Sequence, residues 1–167
     1  MRLFAAMALA LAAVPAMTGA VATAAEAEHP EARPFDADRN AAADILLARA
    51  RALMTGKRVL VVLGGNWCHD SRGLAGWFER PRFAEMLGDR YELVYVDVGR
   101  PQRGEGRNLD VAARYGIDEI TGTPTVLVLS SSGRLLNPET ATTWNNAASR
   151  EEEAIYDYFA DFIPETG

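Results

Sequence analysis

Arg58-Val59-Leu60-Val61-Val62-Leu63-Gly64-Gly65-Asn66-Trp67-Cys68-His69-Asp70-Ser71 is the stretch on which the fold turns. Its first six residues form an apolar, β-branched run without alternation. That pattern suits a strand covered on both faces, as in a parallel sheet. Gly64-Gly65-Asn66 breaks the run. A helix is then expected from around Cys68 to Phe78, weakened by Gly73 and Gly76. The only cysteine of the chain thus stands at a strand-to-helix junction.

Working outward, Tyr91 to Val98 reads as a second strand and Thr125 to Leu129 as a third. Ser131-Ser132-Gly133 makes a tight turn into a short fourth strand, Arg134 to Leu136. Asp36 or Asp38 can cap a first helix running to Thr55, with Ile45, Leu46, Arg49 and Leu53 at helical spacing and Gly56 ending it. Pro81 opens another helical stretch through Leu87. A helix near Asn108 to Tyr115 is stopped by Gly116. After a polar loop, Glu151 to Phe162 is an amphipathic closing helix with Ile155, Tyr158, Phe159 and Phe162 inward. Its Glu151-Glu152-Glu153 start complements the helix dipole. The order predicts a three-layer α/β domain, a mixed central sheet with a parallel pair and an antiparallel edge, flanked by helices.

The chain has 167 residues, a formal net charge of −6 and 49% hydrophobic residues. This is the composition of a globular domain. The acidic balance argues against nucleic acid as a partner, because phosphate-backbone binding rests on clustered Lys and Arg. Arg2 is the only charged residue before Glu26. Behind it run an apolar stretch to Val14 and an Ala-x-Ala pattern at Ala22 to Ala24, which together describe a secretory signal peptide. The expected organisation is a signal peptide over residues 1–25, a polar lead-in over 26–35, and one domain over 36–167. Once the signal is cleaved, no stretch is long enough to span a membrane. The protein is therefore expected in the periplasm or secreted, where disulfides form and persist. A single cysteine there is free, capped or paired with another molecule.

Trp67-Cys68-His69-Asp70-Ser71 after a buried strand, and Gly122-Thr123-Pro124-Thr125 leading into another, together resemble the thioredoxin superfamily. The likeness runs from about Arg58 to Phe162. Arg80-Pro81-Arg82-Phe83 through Tyr95-Val96-Asp97-Val98 looks most like the exported thioredoxin-like reductases and isomerases. The resemblance implies a thioredoxin-like fold and a Trp-Cys-x-x-Cys motif beside a cis-proline loop that receives an extended peptide. Three departures stand out. Ser71 occupies the place of the second, resolving cysteine, which makes the motif Cys-x-x-Ser. Val62 replaces an acidic residue that assists the buried thiol in many thioredoxins; without that thiol no proton acceptor is needed. Gly64-Gly65 replaces the usual aromatic stretch, for a reason the sequence does not supply.

Cys68 carries the chemistry. A thiol at a helix N-terminus faces unpaired backbone N–H groups and the positive end of the dipole, and both favour thiolate. Ser71, three residues on, can reach the sulfur from the same turn and donate a hydrogen bond to it. Serine cannot attack a disulfide, so a mixed disulfide on Cys68 must be released by an outside thiol. Cys68 and Ser71 are the candidate catalytic residues. Trp67, Thr123 and Pro124 are the candidate substrate-binding residues, with Trp67 either on an apolar rim or in the core. No cofactor is expected. No metal site is expected either, since Cys68, His69 and Asp70 point in different directions from a helix start. Arg100, Arg103 and Arg107 follow the second parallel strand and should emerge at the same sheet edge as Cys68. There they can steer an anionic thiol such as glutathione or a carboxylate-bearing peptide, or form a solvated loop partly neutralised by Glu105 and Asp110.

The expected function is monothiol disulfide exchange through mixed disulfides, of the reductase, isomerase or deglutathionylation type. Its partners would be protein or low-molecular-weight disulfides and an external resolving thiol. The rival is a non-catalytic binding or assembly module that kept the fold after losing the redox pair. A one-cysteine peroxidase is a weaker third, lacking any specific peroxide-activating residue.

Overall fold

The computed structural model describes residues 29–162. Its elements in chain order are α1 (Ala41–Thr55), β1 (Arg58–Gly64), α2 (His69–Phe78), α3 (Pro81–Arg90) and β2 (Tyr91–Asp97). A two-residue ladder of β3 (Gly99–Arg100) and β4 (Glu105–Gly106), α4 (Leu109–Ala113), β5 (Thr125–Leu129) and α5 (Glu152–Ala160) complete it. The main sheet has the order β2-β1-β5. β1 runs parallel to β2 with Arg58 opposite Tyr91, and antiparallel to β5 with Leu63 opposite Thr125.

β1 is central and Val59 to Leu63 are fully buried. Each such side chain contributes roughly 1.5–3 kcal/mol of apolar burial. Leu60 and Val62 face a cluster from α2, α3 and α5 that includes Leu74, Phe78, Phe83 and Phe159. Val59, Val61 and Leu63 face the other cluster, built from Ala48 and Ala52 of α1 and Val111 and Ala112 of α4. The continuous apolar run therefore reports what was expected of it, a strand covered on both faces within three layers.

Details differ where side chains take over backbone duties. The cap of α1 is Asn40, whose carboxamide accepts from Ala43 N–H, and not an aspartate. Asp36 instead accepts from Asp38 N–H in the turn before it. The inner face of α1 is Ala41, Ile45, Ala48 and Ala52. Leu46 and Leu53 are 67% and 64% exposed, because each lies one residue, about 100°, round the helix from that face. The fourth strand is reduced to one bridge, Leu129 to Leu135. Asn137 replaces its continuation: its carboxamide accepts from Val128 N–H and donates to Val126 C=O.

The stretch between Leu136 and α5, expected as a polar loop, inserts Ala141, Trp144 and Ala147 into full burial. The lead-in is also packed. Ala32 N–H donates to Arg72 C=O, and Phe35 is 3% exposed. The Phe35 ring explains Gly64, because a Cβ on Gly64 would come within 2.9 Å of it. The aromatic cover over this end of β1 is thus supplied by the lead-in and not by the strand's own continuation. Gly76 likewise gives room to the lead-in backbone, since a Cβ there would lie 2.5 Å from Glu31 N. The expected signal peptide lies outside the described residues. No helix among the described residues is long and apolar enough to cross a membrane.

Candidate functional site

Three segments meet at one edge of the sheet. β1 and β2 both end there, and β5 begins there because it runs the other way. Cys68 follows β1, the β3–β4 ladder follows β2, and Gly122-Thr123-Pro124 precedes β5.

Cys68 is the N-cap residue of α2, in extended conformation, and its side chain makes no capping bond. The partly exposed sulfur turns instead to the neighbouring loop, where the thiol donates to Thr123 C=O at 3.2 Å. Only the protonated thiol makes that bond. The peptide bond between Thr123 and Pro124 is cis, and both residues are buried. Gly122 lets this loop lie close against Asn145, which a Cβ would approach to 2.7 Å.

Ser71 does not meet the sulfur. It is fully buried, its hydroxyl has no hydrogen-bond partner, and it lies against Gly64. The expected hydrogen bond between Ser71 and Cys68 is absent because the first turn of α2 directs position 71 under the helix. Position 68 faces the loop. An unsatisfied buried hydroxyl costs free energy. Ser71→Ala is therefore expected to hold thermal stability or raise it by up to about 1 kcal/mol. Disulfide-exchange rates are expected to stay within about threefold of the parent. Paired melting and rate measurements check this, and a large rate loss would restore a catalytic role to the hydroxyl.

The neighbours of Cys68 in sequence are also directed elsewhere. His69 Nδ1 lies 2.7 Å from a Glu31 carboxylate oxygen. Asp70 accepts from Ala148 N–H at 2.9 Å, which ties the start of α2 to the loop before α5. Among the described residues no cluster of His, Cys, Asp and Glu is arranged to hold a metal ion.

Arg72 is the residue that sequence reasoning overlooked. Its guanidinium bonds both carboxylate oxygens of Glu31 and the carbonyl of Asn66. Its place four residues after Cys68, on the same helix face, was the available signal. Asn66 clamps Phe35 through both its backbone groups, accepting from N–H and donating to C=O. The lead-in therefore straps the start of α2 in place.

Hydrogen bonds from Arg72 and then His69 hold the Glu31 carboxyl at about 2, below its ordinary value of 4.5. A depressed carboxyl stabilises the docked strap fully above the ordinary value and loses that contribution as pH falls through about 2. Protection of the Ala32 amide against exchange is expected to hold from neutrality down to about pH 4 and to weaken below it. Glu31→Gln is expected to lower that protection even at neutral pH. Equal protection in the two proteins would show that the carboxylate does not hold the strap.

Trp67 donates from Nε1 to Gly99 C=O at 2.8 Å and remains 37% exposed. It is therefore on the rim and not in the core. Arg100 lies over its ring, 5.0 Å from the centroid. Arg107 pairs with Asp97 at 3.5 Å. Asp110 pairs with Arg114 and not with the arginine-rich loop.

A family model described as thioredoxin-like matches residues 40–131. Among solved structures, a disulphide isomerase from Xylella fastidiosa Temecula1 is 30% identical with a TM-score of 0.70. That match covers 78% of this chain and 96% of the other. Human ERp44 is 18% identical with a TM-score of 0.45, covering 78% of this chain and 30% of that one. A protein of unknown function from Pseudomonas aeruginosa is 22% identical with a TM-score of 0.40, covering 71% of this chain and 81% of that one. No protein of curated function matches the sequence.

Proposed function

Because the chain belongs to the thioredoxin-like family, we propose that it is an exported monothiol disulfide-exchange protein working through Cys68. The family and the likeness to a disulphide isomerase support a thiol–disulfide type of function. The single-thiol form rests on one observation: the chain's only cysteine starts α2 against the Thr123-Pro124 loop. Export rests on the leader-like sequence of residues 1–25.

In the proposed cycle, an incoming disulfide displaces the bond between the thiol and Thr123 C=O, and Cys68 gives its proton to water and reacts as the thiolate. With a glutathionylated protein, the Cys68 sulfur attacks the glutathione sulfur. Its lone pair forms the new S–S bond, while the pair of the old bond leaves with the protein thiolate, which takes a proton from water. A second glutathione, having lost its proton, then attacks the glutathione sulfur of the adduct. Glutathione disulfide leaves and the Cys68 thiolate is restored. No net oxidation of the chain occurs. Ser71 stands where an internal thiol would resolve the adduct, and its hydroxyl cannot do so. Trp67 forms the rim, and the Thr123-Pro124 loop lines the path of the substrate backbone.

The reaction is tested with a glutathionylated peptide and added glutathione. The parent protein is expected to release the free peptide thiol catalytically, and the Cys68→Ala protein to run at the uncatalysed rate.

A further inference from the structure

Two of the three arginines after β2 keep unpaired guanidinium groups beside Trp67. Arg107 is engaged by Asp97, while among the described residues Arg100 and Arg103 form no ion pair. Glu105 stands opposite Arg100 in the β3–β4 ladder, yet their side chains do not pair. Trp67, Arg100, Gln102, Arg103 and Thr121 line one open cleft. Its walls carry contacts of their own: Trp67 Nε1 donates to Gly99 C=O, Arg100 lies over the indole, and Gln102 Nε2 donates to Ile120 C=O at 3.4 Å. Trp67 adjoins Cys68 and Thr121 is two residues before Thr123. The cleft thus shares its wall with the chain neighbours of both Cys68 and the Thr123-Pro124 loop.

Two guanidinium groups and an indole face suit a carboxylate carried on a short organic frame. The guanidinium fork matches carboxylate geometry, and the ring covers apolar atoms next to it. Asp118 and Glu119 line an adjoining groove that shares Gln102 and Thr121 with the cleft, so the charge changes sign across that boundary. We infer that the Trp67–Arg100–Arg103 cleft selects disulfides bearing a carboxylate close to the reacting sulfur, in a low-molecular-weight thiol or an acidic peptide. This rests on the thiol chemistry proposed for Cys68 and adds the substrate class to it.

The test compares two small disulfides, dithiobis(nitrobenzoate), which is anionic, and dithiodipyridine, which is neutral. Each is reacted at low salt with the parent, with Arg100→Gln/Arg103→Gln, and with the double lysine variant. Charge steering of this kind changes association rates by tenfold or more. The ratio of anionic to neutral rates is expected to fall about tenfold in the double glutamine variant. The lysine variant should keep most of it, and added salt should lower it in the parent far more than in the glutamine variant. A second pair, peptide disulfides with Glu or Gln beside the cysteine, separates the sources. Selectivity there as well assigns acidic peptides; selectivity confined to small disulfides assigns the low-molecular-weight thiol. Reaction with both small probes at a ratio unchanged by loss of the arginines overturns the cleft's role and leaves the exchange chemistry standing. Failure of both probes to react with Cys68 in the parent overturns the chemistry itself.

Discussion

Replacing Cys68 by alanine is expected to lower the catalysed release of thiol from a glutathionylated peptide on the order of a hundredfold or more. The reason is chemical. Cys68 is the only thiol in the chain, and Ser71, the hydroxyl of the motif, is buried against Gly64. The fold should survive the change. Cys68 is partly exposed and its side chain makes one hydrogen bond, to Thr123 C=O, worth about 1 kcal/mol. Cys68→Ser keeps a donor for that carbonyl and is expected to lose activity equally, which separates loss of the nucleophile from loss of the contact. Activity within about threefold of the parent in both variants would contradict the enzyme and leave a peptide-binding module on the same loop.

Trp144→Ala is expected to cost about 3–5 kcal/mol of folding stability, read as a lowered denaturant midpoint. Trp144 is fully buried. Its indole stacks on Phe159 at 5.0 Å and meets Tyr158 edge-on at 4.7 Å, while Arg150 covers it at 4.1 Å. The unpartnered Nε1 places the loss towards the lower end of that range. For a domain stable by roughly 5–15 kcal/mol the loss is large. It also reaches the site. Ala147 N–H donates to Trp144 C=O, and the next residue, Ala148, supports the start of α2. Asp70 accepts from Ala148 N–H, and Gly73 packs against the same residue, with a Cβ at position 73 reaching Ala148 at 3.2 Å. A change under about 1 kcal/mol would mean that this segment is not part of the core.

Much of the architecture was legible because β1 is central. A strand covered on both faces reads as Val59-Leu60-Val61-Val62-Leu63 without alternation, and that run located the sheet, the junction and Cys68. The segments before and after it were harder to read. Trp144 and the alanines around it are spaced by neither helix nor strand, so periodicity could not mark them as core. The lead-in has few apolar residues, and its docking depends on Glu31, Arg72 and Asn66, which meet only in three dimensions. At the site, Cys68 bonds Thr123 C=O beside the cis Thr123-Pro124 peptide, while Trp67 lies against Gly99 and Arg100. The direction of the Ser71 hydroxyl depends on which side of α2 faces Gly64, and spacing along a helix gives distance without that direction. Arg72 was in plain sight by spacing but drew no notice, because its partner lies in a segment read as a tail.

The most direct measurement of a single nucleophile without an internal partner is the stoichiometry of leaving-group release in the absence of free thiol. When the reduced protein is mixed with excess glutathionylated peptide, release is expected to stop at one peptide thiol per chain. Intact-protein mass should then carry one glutathione on Cys68, discharged as soon as glutathione is added. Release that continues past one equivalent without added thiol, or no release and no adduct at all, would contradict the account.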